Sequence, residues 1–156
     1  MSDRCDLARG WLLKARSDLH ACHRTLEADG PYDTTCFHAQ QAIEKSLKAL
    51  LAFHGQPVPR THDLEELQRL CSPLQALPAL DRYDFSETTD YGVLVRYDLE
   101  FWPDLGTAGD AVVQAEQVFD LVANTLPPEA GREWYEPSKC CANVNRSLLG
   151  TDGASR

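Results

Sequence analysis

The residues best suited to chemistry lie in the run Phe37–Leu51, where amide, carboxylate and ammonium groups recur at helical spacing. Gln41, Glu44 and Lys48 are three and four residues apart, so a helix places their side chains on one face. That face is either a binding surface or a solvated surface with a Glu44–Lys48 ion pair worth about 0.3 kcal/mol. Periodicity alone favours the solvated surface, since charged runs are usually exposed.

Gln40, in the same run, falls in register with apolar residues that belong to a buried stripe. A buried amide that lacks hydrogen-bond partners costs about 1–3 kcal/mol. The sequence therefore predicts that Gln40 is hydrogen-bonded, and that it either fixes the register of the helix or bridges two chains.

Two further candidates follow later in the chain. His62 directly precedes a predicted helix start at Asp63, a position that attracts anions and where an imidazole adds a titratable donor. Packing at the entrance of the helix is an equally good interpretation of His62. Arg96, followed by Tyr97, is an isolated cation in an acidic stretch. It either neutralises nearby carboxylates or holds a phosphate through two hydrogen bonds.

Amphipathic periods predict the helices that would position these side chains. The predicted helices cover about residues 6–28, 34–54, 63–72 and 107–126. Residues 74–83 fit a short helical turn or an irregular linker. Residues 84–106 fit a short helix or an extended piece near Tyr91, followed by a loop from Asp98 to Gly106.

Long apolar stripes joined by short connections bury best against one another. The predicted fold class is therefore all-α, an up-and-down antiparallel bundle of four to five helices. We expect residues 1–128 to form this bundle and residues 129–156 to form a partly disordered C-terminal tail, because no sustained period continues beyond the two prolines at 127 and 128.

The net charge and its distribution along the chain argue against one class of function. The 156 residues carry a net charge of −9, and residues 61–126 hold only three basic residues against thirteen acidic ones. A freestanding nucleic-acid binder usually shows a basic patch, so the acidic segment argues against that class and faces either solvent or a basic partner.

No stretch is long and apolar enough to span a membrane, and no secretory signal is visible, so we expect a cytoplasmic protein. The six cysteines form no Cys-x-x-Cys pair, and we expect neither a metal nor a cofactor. Cys22 and Cys36 fall on apolar stripes, where cysteine packs as a small hydrophobe. Cys140 and Cys141 lie in the tail.

Three pieces of the chain resemble the HEPN (higher eukaryotes and prokaryotes nucleotide-binding) family. They are the Gln40–Leu51 run, the Thr61–Leu64 segment and the Arg96-Tyr97 pair, in the family's order. The resemblance extends over about residues 6 to 126. It implies a helical bundle, commonly a homodimer, that is often assembled with a minimal nucleotidyltransferase in toxin–antitoxin-like prokaryotic modules.

The resemblance also implies a nucleotide or RNA ligand. The residues carried over as ligand-binding candidates are Gln41, Glu44, Lys45, Lys48, His62, Arg96 and Tyr97. Several family members are metal-independent ribonucleases that use an Arg followed, after four to six residues, by a His. Here Arg96 is followed by no His as far as Gly106, which leaves Arg96 and His62 as the only catalytic candidates.

Three functions follow from this departure. The leading hypothesis is a nucleotide- or RNA-phosphate-binding subunit that acts with a nucleotidyltransferase partner and lacks full ribonuclease activity. The second is an active metal-independent endoribonuclease toxin that uses Arg96 with His62 or another His. The third is a noncatalytic dimeric scaffold.

Overall fold

Five α-helices make up most of residues 2–74 and 77–131, the part of the chain that the computed structural model describes. They are α1 (Ser2–Glu27), α2 (Tyr32–Phe53), α3 (Leu64–Cys71), α4 (Ser86–Tyr97) and α5 (Leu105–Thr125), with a 3-10 turn at Leu80–Arg82. No strand occurs in these two ranges. The structure thus confirms the predicted all-α bundle.

Helix α2 is the central element of the bundle. It packs against each of the other four helices, most extensively against α1 and then against α5. Ile43, Leu47 and Leu50 on α2 are completely buried. Because α2 lies in the middle of the bundle, its polar side chains are also enclosed by neighbouring helices, and this enclosure creates the candidate site.

The turns between the helices have clear local causes. Asp29 and Gly30 adopt positive φ angles of 60° and 109° where α1 ends, the left-handed conformation that glycine tolerates best. Gly55, with φ of 66°, follows the end of α2. Asp63 caps α3 by accepting hydrogen bonds from the backbone N–H groups of Glu65 and Glu66.

Three helix boundaries differ from the predictions by two residues or more, and one of them is the start of α2, which lies at Tyr32 rather than at residue 34. Helix α1 begins at Ser2 rather than at residue 6, and Cys5 packs against the core on this added turn. Helix α5 begins at Leu105 rather than at residue 107, because the Asp104 carboxylate accepts a hydrogen bond from Thr107 N at 2.8 Å and so caps an earlier turn.

The segment that the sequence left undecided contains α4. Asp84 accepts a hydrogen bond from Ser86 N at 3.0 Å near the start of this helix, and Tyr91 and Gly92 are buried against the bundle. The loop then covers residues 98–104, two residues shorter than predicted at its C-terminal end.

The cysteines of the core behave as the sequence predicted. Cys22 and Cys36 are fully buried, and burial raises the pKa of each thiol to about 12, so both are protonated at neutral pH. Cys140, Cys141 and the predicted tail beyond residue 131 lie outside the described residues. Within the described ranges, no helix combines the length and the apolar character that crossing a membrane requires.

Candidate functional site

The buried carboxylate of Glu44 is the centre of the candidate site. Glu44 lies on α2 with only 3% of its surface exposed. Its Oε1 accepts a hydrogen bond from Lys48 Nζ at 2.7 Å, and its Oε2 lies 2.9 Å from His62 Nδ1. A buried charge must be paired, and here both carboxylate oxygens are paired with cationic or titratable groups.

Two glutamine side chains complete this arrangement. Gln40 Nε2 donates to the backbone oxygen of His62 at 3.0 Å and approaches Glu44 Oε2 at 3.3 Å. Gln41 Nε2 donates to Gln40 Oε1 at 2.7 Å. The prediction that Gln40 is hydrogen-bonded is therefore confirmed. We call Gln40, Gln41, Glu44, Lys48 and His62 the Glu44 cluster.

The predicted Glu44–Lys48 ion pair is confirmed, but the prediction that this face is exposed to solvent is wrong. Glu44 and Lys48 are both buried, because α1 lies beside them and the segment before α3 folds over α2. The Lys48 ammonium lies 5.6 Å from the centre of the Trp11 ring on α1, within the range of a cation–π contact. This contact could not be predicted from the sequence, since it depends on how α1 packs against α2.

Opposing effects act on the pKa of Glu44. Burial raises it, but hydrogen bonds and positive charge from Lys48 and His62 outweigh burial and hold the pKa below its ordinary value of 4.5. The carboxylate is therefore ionised at neutral pH. An ionised carboxylate keeps Lys48 and His62 in fixed positions and so preorganises them.

His62 is the part of the cluster that faces solvent. Its side chain is 63% exposed, whereas Glu44 and Lys48 are enclosed. When Nδ1 donates to Glu44, the second ring nitrogen, Nε2, accepts a hydrogen bond in the neutral imidazole and donates one in the protonated form. The cluster therefore presents an oriented imidazole to a ligand, backed by a buried carboxylate and an ammonium.

Arg96 and Tyr97 lie at the end of α4, and neither belongs to the Glu44 cluster. Arg96 Nε donates to Gly92 O at 2.9 Å, and the guanidinium lies 5.9 Å from the centre of the Phe37 ring and 5.4 Å from that of Tyr97. In the described part of the chain, no hydrogen bond or ion pair joins Arg96 to the Glu44 cluster or to a carboxylate. The neutralisation of nearby carboxylates by Arg96, one of its two predicted roles, therefore has no direct ion pair behind it among the described residues.

Gly92 gives α4 an indirect connection to the cluster. A Cβ atom built on Gly92 would lie 3.3 Å from the Gln40 side chain, closer than ordinary packing allows. The absence of a side chain at this position lets α4 approach α2 directly over Gln40. Arg96 is one helical turn further along the same face of α4.

Lys45 belongs to a different group from Lys48. Its Nζ lies 2.5 Å from an oxygen of Asp18 on α1, and His38 Nδ1 lies 2.8 Å from the other oxygen. The sequence signal was the seven-residue spacing of His38 and Lys45, which puts both on one side of α2. Asp18 could be identified only from the packing of α1 against α2.

Comparisons with known proteins provide one match. The family model described as HEPN domain matches residues 8–125, most of the bundle. No curated protein and no solved structure matches the chain. Among the described residues, no group of three or more His, Cys, Asp or Glu side chains is arranged to hold a metal ion.

Proposed function

We propose that this chain, which belongs to the HEPN domain family, binds the phosphate of a nucleotide or of RNA at the Glu44 cluster. A HEPN domain supports a nucleotide- or RNA-related role in general terms. The observation that supports this particular site is the buried, ionised carboxylate of Glu44, which holds one ammonium and one exposed imidazole side by side.

The cluster suits an oxyanion for electrostatic reasons. The charges of Glu44 and Lys48 cancel, so protonation of His62 gives the group a net positive charge. Hydrogen bonds from cationic donors to phosphate are stronger than bonds between neutral groups. Preorganisation also favours binding, because Glu44 already holds the donor groups in place and the ligand does not have to order them.

We also propose that the chain lacks full ribonuclease activity. Cleavage of RNA without a metal needs one group to remove a proton and another to supply one. Arg96 stays protonated and cannot exchange protons, and no His follows it before Gly106. The guanidinium of Arg96 donates to Gly92 O, and among the described residues no hydrogen bond joins it to His62.

The proposed assembly is a homodimer that acts with a nucleotidyltransferase partner in the cytoplasm, as the family resemblance implies. HEPN domains often dimerise. Around the end of α4 and the start of α5, an apolar strip is exposed, and it consists of Val93, Tyr97, Leu99, Trp102 and Leu105. Exposed apolar patches rimmed by polar residues are typical of protein interfaces.

Calorimetric titration with adenosine monophosphate tests the proposed site. We expect Lys48→Gln to weaken binding about tenfold, because the change leaves the buried Glu44 carboxylate without its ammonium and so places an uncompensated negative charge near the phosphate. Arg82→Gln is the matched control, since it removes one positive charge from an exposed position outside the cluster. Equal affinity of wild type and Lys48→Gln, with both proteins folded, contradicts the proposal.

A further inference from the structure

A second carboxylate, on α1, holds a second pair of side chains, one lysine and one histidine. Asp18 is only 8% exposed. One of its oxygens lies 2.8 Å from His38 Nδ1, and the other lies 2.5 Å from Lys45 Nζ. We call these three residues the Asp18 triad. None of them takes part in the Glu44 cluster.

The Asp18 triad repeats the chemistry of the Glu44 cluster. In both groups a nearly buried carboxylate uses one oxygen for a lysine ammonium and the other for the Nδ1 atom of a histidine. Both lysines are on α2. The two groups therefore share one arrangement, a carboxylate that holds a lysine ammonium and orients an imidazole. In the Glu44 cluster the imidazole of His62 faces solvent, whereas in the Asp18 triad both His38 and Lys45 reach the surface.

The lysine and the histidine of the triad reach the surface. The side chains of His38 and Lys45 are 29% and 22% exposed, whereas the Asp18 side chain is 10% exposed. Within the described ranges, His38 Nε2 has no hydrogen-bond partner. Two cations on one carboxylate leave a positive charge whenever His38 is protonated.

The two groups lie along one side of α2. Lys45 and Lys48 are three residues apart, so their Cβ atoms are separated by about 5–6 Å. From His38 to Lys48 the helix rises about 15 Å, at 1.5 Å per residue. Gln41, a member of the Glu44 cluster, lies on the same side of the helix. This length exceeds the reach of one phosphate group but suits consecutive phosphates of a strand.

We propose that the Asp18 triad is a second phosphate contact for the same ligand, which makes that ligand a single-stranded oligonucleotide that lies along α2. The inference rests on the proposed function, because the Glu44 cluster supplies the first contact. A mononucleotide carries its phosphate at one end and contacts one group only. A strand carries a phosphate at each nucleotide and contacts both groups.

Affinities for two ligands separate this inference from the proposed function. Wild type, Asp18→Asn/Lys45→Gln and Arg82→Gln are each titrated with adenosine monophosphate and with a 5′-phosphorylated tetra-adenylate RNA. The double variant keeps the net charge, and an amide pair replaces the ion pair. We expect it to bind the tetranucleotide about tenfold more weakly than wild type, with adenosine monophosphate affinity unchanged.

Salt dependence provides a second measurement in the same proteins. For a single strand, the slope of log K against log salt changes by about 0.7 for each phosphate contact. We therefore expect the tetranucleotide slope to be shallower by about 0.7 in the double variant, and equal to wild type in Arg82→Gln. If the double variant does not fold, His38→Gln replaces it, because Lys45 then still neutralises Asp18.

The outcomes are distinct. If the tetranucleotide binds no more tightly than adenosine monophosphate, or if the triad variants weaken both ligands equally, the oligonucleotide inference is overturned and the Glu44 site stands. Wild type that binds neither ligand overturns both proposals. Loss of tetranucleotide affinity alone, with the shallower slope, supports the inference.

Discussion

At the scale of single residues, burial decides the role of Glu44. An exposed Glu–Lys pair on a helix is worth about 0.3 kcal/mol, whereas removing one partner of a buried pair costs about 3–5 kcal/mol. Glu44 and Lys48 belong to the second case, because both side chains are less than a tenth exposed. Burial therefore makes the Glu44–Lys48 pair important for the stability of the fold, which an exposed pair would not be.

Glu44→Gln is expected to destabilise the fold by about 3 kcal/mol at pH 7, because it leaves the Lys48 ammonium buried without its carboxylate. The pKa of Glu44 is lowered in the folded state, so its stabilising contribution is present above its ordinary value of 4.5 and is lost as pH falls through the folded pKa. Urea unfolding at pH 7, 5 and 3.5 should show the wild-type advantage shrinking with acid.

Glu65→Gln is the matched control, since Glu65 is exposed on α3, and we expect it to change the free energy of unfolding by less than about 0.5 kcal/mol. A Glu44→Gln protein as stable as wild type at pH 7 would contradict the structural role of the buried pair.

Single residues also show what the sequence can and cannot predict. The hydrogen bonding of Gln40 followed from its place in an apolar stripe, since an amide there needs partners. The sequence did not predict that Lys45 and Lys48 belong to different groups, because their carboxylate partners lie on different helices. Glu44 is four residues from Lys48 on one helix, but Asp18 reaches Lys45 only through the packing of α1 on α2.

At the scale of elements, long helices were predictable and α4 was not. Helices α1, α2 and α5 each show an apolar stripe that matches the buried core. Helix α4 buries only Thr88, Tyr91 and Gly92, too few for a clear period. Its position depends on the close approach of Gly92 to Gln40, a contact between elements that local sequence does not encode.

Two glycine substitutions test this close approach. Alanine in a helix is more favourable than glycine by about 1 kcal/mol, and Gly10 on α1 has open space around it, so Gly10→Ala should stabilise the fold by about that amount. Gly92→Ala gains the same helical contribution but must displace the hydrogen-bonded Gln40 amide. We expect it to be at least about 1 kcal/mol less stable than Gly10→Ala in urea unfolding. Equal increases in the free energy of unfolding from both substitutions would contradict the close contact between α4 and Gln40.

At the scale of the whole molecule, the exposed apolar strip contrasts with an otherwise acidic chain of net charge −9. Trp102 is 75% exposed within this strip. We expect light scattering to give about twice the 17.4 kDa chain mass for wild type and the single mass for Trp102→Asp, because a buried carboxylate opposes association. Leu7→Asp, an exposed apolar position on α1, should remain dimeric. A monomeric wild type would refute the dimer.

The central claim is that the Glu44 cluster receives a nucleotide phosphate. The most direct measurement follows the imidazole resonances of His62 by NMR while adenosine monophosphate is added to the wild-type chain. We predict that the His62 ring signals shift in a saturable manner, and that the shift is lost in Lys48→Gln but kept in Arg82→Gln. Saturable binding that leaves the His62 signals unmoved would contradict the account.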